Sequence, residues 1–298
     1  MISVADSRFE EACKQVGLGE RLDIEDRPGQ AADPVYKKLK DEAERLIDSA
    51  RGFLSELPPI HFNFLHDPYV NAHAFEYRGE YFIAIPAGAV LIPRLFVHRA
   101  VAHPGTLGWI GDPRGEVADQ DEVAWELLDA EELFNLGLRG VVAKDDTRFQ
   151  YAEHIFVQMM MFLLGHEIAH VTRGHLGYLK AKTGLSLISE TAEPGSGDAR
   201  IERQTIEADA DGRSVYSRFH SASITPVFDR EHNFLFDMAF AINVFFKLLG
   251  DSRLSGINLA ANQYPPLPLR RRMALDVLRT SAMRHDTTES ERIEQTLN

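Results

Sequence analysis

The sequence predicts an α+β fold that is mainly helical. Apolar residues recur at helical spacing over several long segments, while only the stretch 72–85 combines a turn signal with a β-rich run. With 44% hydrophobic and 26% charged residues among 298, the composition is that of a globular chain. A fold of this size buries roughly 75% of its unfolded-chain surface, so its core needs no disulfide or structural metal. Any metal would therefore serve chemistry.

The start MISVADSRFEEACKQ has neither a basic n-region nor an apolar h-region, and the single cysteine, Cys13, cannot form an intrachain bridge; a cytoplasmic location is the expectation. Residues 1–32 are polar and show no pattern. From Asp33, a good N-cap, Pro34 suits the first helical position, and Val35, Leu39, Leu46, Ala50 and Phe53 or Leu54 follow at helical spacing. That helix ends near Leu57, before Pro58 and Pro59.

Residues 60–90 read as extended. The run Tyr81 to Ile85 follows a turn signal at Arg78-Gly79 and stops at Pro86, which predicts a hairpin over Ala72–Ile85 whose second strand is an exposed edge. Residues 112–135 form an acidic insert with interleaved apolar positions, read as a solvated helix face rather than a docking surface. Strong helical patterns cover Phe149–His175, about Arg200–Phe219, Phe234–Leu249 and Arg270–Leu278. Residues 192–200 read as a flexible loop, and the residues after Leu278 as a polar, frayed tail. The resulting organisation is an N-terminal helical segment over residues 1–56, a principal domain over 57–278 that carries the insert, and a tail over 279–298.

Lys plus Arg total 32 against 45 Asp plus Glu, and a charge of −13 repels phosphate backbones, so nucleic acid is not an expected partner. The apolar run Ile155–Gly165 is about half the ~20 residues a bilayer demands, and Phe234–Gly250 contains Asp237, Asn243 and Lys247; no membrane span is expected.

The segment that carries chemistry is His166-Glu167-Ile168-Ala169-His170, the pattern H-E-x-x-H. Four helical residues advance about 400° and 6 Å, so His166 and His170 project from one face and can grip one ion, while Glu167 reaches a water on that ion without ligating it. A hydrolytic zinc site needs a third protein ligand and leaves the fourth position to water. A glycine three residues and a histidine six residues after His170 would be one solution, but Arg173 and Leu176 stand there. His175 could join only if Gly174 breaks the helix sharply. The better candidate lies in Glu207-Ala208-Asp209-Ala210-Asp211: Glu207 as ligand, and Asp211 one turn later accepting a hydrogen bond from a ligand imidazole and fixing its tautomer. His61, His66, His73, His98 and His103 share no helical ligand spacing and read as ordinary residues.

His166 to His170 followed by Glu207 to Asp211 resembles the gluzincin metallopeptidases. Asn71-Ala72-His73-Ala74-Phe75 with the strand Tyr81 to Ile85, and Tyr264-Pro265-Pro266 with Arg270, narrow the resemblance to the HtpX and CAAX-prenyl-protease group. It covers about residues 66–90 and 150–278. Tyr264 stands where that family has histidine, and the length without membrane spans is similar to the Lit-type phage-exclusion peptidases. The resemblance implies a zincin-like catalytic domain, one zinc ion per chain on His166, His170 and Glu207, and Glu167 as general base in peptide hydrolysis. It implies Tyr264 and Arg270 as candidates for stabilising the oxyanion. A protein or peptide substrate would pair with the Tyr81–Ile85 strand, main chain to main chain beside Tyr81 and Ile83, with Asn71 holding its backbone. The competing expectation is a peptidase-like zinc-binding module, regulatory or active in phage defence, without turnover.

Overall fold

The computed structural model describes residues 4–24, 34–54, 56–116, 128–136, 142–184, 186–189, 198–224, 234–255 and 267–285. Helices α1 (Val4–Val16) and α2 (Pro34–Phe53) precede strands β1 (Ile60–Leu65), β2 (His73–Tyr77) and β3 (Glu80–Pro86) and helix α3 (Gly88–Ala102). A 3-10 turn (Pro113–Gly115), α4 (Ala130–Leu136), α5 (Asp146–Thr172), α6 (His175–Thr183) and β4 (Leu187–Ser189) follow. The chain continues with α7 (Asp198–Ile224), α8 (Phe234–Leu249), α9 (Ser252–Ser255) and α10 (Leu267–His285). The fold is α+β and mainly helical, as the periodicity predicts.

The four-stranded sheet has the order β1-β3-β2-β4. The expected hairpin forms, with Ala74 opposite Ile83 and Tyr77 opposite Glu80. Its second strand is not an edge. β1 runs parallel along the other side of β3, from Ile60 opposite Tyr81 to Leu65 opposite Pro86. Phe82, Ile83, Ala84 and Ile85 are buried on both faces, which explains why the run is continuously apolar rather than alternating. Pro86 closes the strand at its last position, where the missing N–H interrupts no interior rung.

One side of the sheet is covered by α1, whose Phe9, Ala12 and Cys13 pack on Leu65, Phe75, Phe82 and Ala84. The first residues of the chain thus belong to the core, although their polar composition announces nothing. Burial pushes the Cys13 thiol up to about 12. The main core lies between the sheet and the helices, with Val35 and Leu39 of α2, Val90 and Leu95 of α3, Phe156 and Phe162 of α5, Ile242 and Phe245 of α8 and Leu278 of α10 in one cluster. α10 runs past Leu278 with Ala282 fully buried, so the expected polar tail continues the helix to His285.

α5 is the axis of the molecule. It is long and apolar enough to cross a bilayer, and 78% of its most apolar window is buried within the protein. Near its first turn the fully buried Arg148 gathers carbonyl oxygens from the end of α3 and the loop beyond. Its Nη1 donates to Leu107 at 3.1 Å and Ile110 at 2.8 Å, and its Nη2 to Val101, His103 and Thr106. Glu116 completes this hub, its carboxylate accepting the amides of Lys144 and Asp145 and lying 3.7 Å from Arg148 Nε. The acidic insert therefore begins with an internal anchor, not a solvated face; Glu131 and Glu132 are exposed as expected, and residues 117–127 lie outside the described residues.

Candidate metal centre

At its last turns α5 presents His166, Glu167 and His170, each no more than 1% exposed. α7 crosses this end and brings Glu207, Asp211 and Ser214 to it from one face, as spacings of four and three residues require. The approach is close because residue 165 is glycine: a Cβ there would meet Ser214 Oγ at 2.6 Å, and that hydroxyl donates to the Phe162 carbonyl at 2.6 Å.

His166 Nε2 and His170 Nε2 are 2.8 Å apart, and Glu207 Oε2 lies 3.2 Å from the first and 3.6 Å from the second. A tetrahedral ion with N and O ligands at 2.0–2.1 Å sets those atoms about 3.3 Å apart. Two imidazoles and one carboxylate can thus hold a metal ion here. Burial works to raise the Glu207 pKa, but His170, contacts with both imidazoles and the Arg270 guanidinium override it and hold the carboxyl well below its usual range. Glu207 is an anion.

The hydrogens on the imidazoles are set from behind. Asp211 Oδ1 faces His166 Nδ1 at 2.9 Å, and because a carboxylate only accepts, this favours the Nδ1–H tautomer and leaves the Nε2 lone pair toward Glu207. Arg270 fixes Asp211 in turn, through bidentate bonds of 2.7 and 2.8 Å, and lies 3.4 Å from Glu207. Arg203, one turn before Glu207, lies 3.4 Å from its other oxygen.

His170 is backed differently. Gly174, in the left-handed region at φ 74°, breaks the chain sharply after α5 and starts α6 with His175. His175 Nδ1 sits 3.1 Å from His170 Nδ1, and its Nε2 lies 3.1 Å from Asp209 Oδ2, which also accepts from Arg173 Nε at 2.9 Å. Burial, then the neighbouring His170, pulls the His175 pKa down to about 4 against the opposing pull of Asp209, so His175 is neutral at pH 7.

The structure brings together His166, His170, Glu207 and Asp211, as their spacing predicts, and buries Glu167, the residue next to His166. Arg270 is present in a different role: fully buried and committed to two carboxylates, it braces the ligands instead of facing a reacting oxygen. Asn71 serves the chain locally, its Oδ1 accepting the Ala72 amide at 2.8 Å. Tyr81 and Ile83 are on an interior strand with neighbours on both sides, so neither offers an edge to a peptide. Tyr264 lies outside the described residues. Sequence reasoning missed Arg203, although it stands four residues before Glu207, and it missed His175 and Asp209 as a pair. The glycine before His175 was the available signal. Searches of protein-family models, of curated proteins and of solved structures return no match.

Proposed function

We propose that this chain is a zinc-dependent cytoplasmic peptidase of the gluzincin type. The observation that carries the reading is the convergence of three ligand atoms within 2.8–3.6 Å, with the buried Glu167 next in sequence to one of them. Two nitrogens and one carboxylate oxygen suit zinc better than magnesium or calcium, which prefer all-oxygen shells. A zinc ion there supplies Lewis acidity and lowers the pKa of water it holds towards ~7. Glu167 accepts the proton of the attacking water and delivers it to the leaving amine. His166, His170 and Glu207 hold the ion, Asp211 orients His166, and Arg270 holds Asp211 in place and helps keep Glu207 ionised.

The substrate edge proposed from sequence moves to β4. Among the described residues β4 pairs only with β2, and its Ile188 packs in one cluster with Val171 and Ile206, the chain neighbours of His170 and Glu207. An extended peptide added there would lie beside the centre.

The burial of every ligand favours one second reading, a zinc-binding regulatory or phage-defence module without turnover. Profiling of protein termini in cells expressing wild type or Glu167→Gln separates the two. The peptidase reading expects new termini that vanish in the variant while zinc is retained at one per chain. Identical termini in both exclude Glu167-dependent cleavage, and less than ~0.2 zinc per chain removes both readings.

A further inference from the structure

We infer that His175 is a positioning residue for the metal: it holds His170 in the tautomer that ligates, and Asp209 sets His175 in turn. The inference rests on the reading of His166, His170 and Glu207 as a zinc centre.

Asp209 is partly exposed, and its Oδ2 receives both Arg173 Nε at 2.9 Å and His175 Nε2 at 3.1 Å. A carboxylate has no hydrogen to give, so the contact places a hydrogen on His175 Nε2. The facing Nδ1 atoms of His175 and His170, 3.1 Å apart, share one hydrogen, and a His170 that ligates through Nε2 carries it on its own Nδ1, which makes His175 Nδ1 the acceptor. With its hydrogen on Nδ1, His170 turns a lone pair on Nε2 towards His166 Nε2 and Glu207 Oε2.

The same geometry excludes His175 from the ligand set. Its contact is with the far side of the His170 ring from the atoms that converge, and its other nitrogen points outwards to Asp209. The two ligand imidazoles are thus braced in parallel, His166 directly by Asp211 and His170 through an interposed imidazole by Asp209. The interposed ring is available because Gly174 takes φ 74° and Leu176, its neighbour, is anchored at 1% exposure in the cluster of Val171 and Ile206.

The test is a zinc titration of the metal-stripped full chain against a competing chelator, for wild type, His175→Leu, His175→Asn and Asp209→Ala, with imidazole nitrogen NMR of the wild type. Loss of such an outer partner weakens metal binding by about 10- to 100-fold, which is the expected fall for His175→Leu. The Asn Oδ1 stands where His Nδ1 stands, so His175→Asn should keep near-wild-type affinity, and Asp209→Ala should fall between. The spectrum should show the hydrogens on His175 Nε2 and His170 Nδ1. Wild-type affinity in His175→Leu, or equal weakness in Leu and Asn variants that both fold, overturns the inference. Should His175→Leu not fold, unchanged affinity in Asp209→Ala overturns it. If wild type binds no zinc, the zinc reading itself fails, and the metal-free spectrum alone decides: hydrogens on the opposite nitrogens sink the relay.

Discussion

At the first turn of α5, Arg148 draws the carbonyls of Val101, His103, Thr106, Leu107 and Ile110 around a positive charge that the chain itself carries. Eighteen residues on, about 27 Å along the same helix, His166 and His170 turn toward Glu207 and offer lone pairs of one kind. Both places concentrate acceptors in a buried volume, which is costly unless a cation compensates them. The first has its cation in the sequence and is a fixed knot of the fold. The second has the Arg203 and Arg270 guanidinium groups beside Glu207 and, on the proposed reading, takes a further positive charge from an ion, so its stability would be linked to solution conditions.

The comparison breaks most visibly at Arg148. Arg148→Met strips the carbonyls and Glu116 of their partner, and a loss of about 3–5 kcal/mol is expected in urea unfolding. Zinc or chelator should not alter that loss. At the other end, zinc at a thousand times its dissociation constant should stabilise wild type by about 4 kcal/mol, reversed by chelator and absent in His166→Ala. Zinc-insensitive unfolding of wild type would remove the distinction between the two ends. Asp211→Asn tests the bracing behind His166: about 10- to 100-fold weaker zinc binding, or ~1.4–2.7 kcal/mol, is expected in the chelator titration.

The smallest effect lies between the ends. Arg94 Nε donates to Glu153 at 2.8 Å and His98 Nε2 contacts the same oxygen, so that although burial works to raise it, the Glu153 pKa is lowered. A carboxylate with a depressed folded pKa stabilises above its ordinary pKa, and this is lost as pH falls through the folded value. Glu153→Gln should therefore cost about 1 kcal/mol at pH 7 and flatten the acid limb of stability against pH. An unchanged limb would leave the clasp without weight.

What was legible in the sequence follows from this division. The pairs His166 and His170, and Glu207 and Asp211, announce themselves because four-residue spacing on a helix is local geometry. Their meeting required only that α5 and α7 pack. The Arg148 hub was not legible, since its partners are main-chain carbonyls, which every residue has. Nor was the interior place of β3: the short run ending in Pro86 reads as an edge until β1, in which His61 and Asn63 interrupt the apolar pattern, is seen to run parallel beside it. α1 was missed because three buried side chains, Phe9, Ala12 and Cys13, suffice to dock a polar helix. His175 stood in view, but its role hangs on one left-handed glycine that spacing arguments treat as a helix end.

Gly165 carries a consequence for tolerance to substitution. Alanine is ordinarily the better helix former by about 0.5–1 kcal/mol, yet here its methyl group would collide with Ser214, two helical turns along α7 from Glu207. The smallest side chain that could be added to α5 at this position, one residue from His166, would therefore push the Ser214 hydroxyl off the Phe162 carbonyl. A change that propensity favours would reach the seam between the two helices of the centre from a position that offers no ligand of its own.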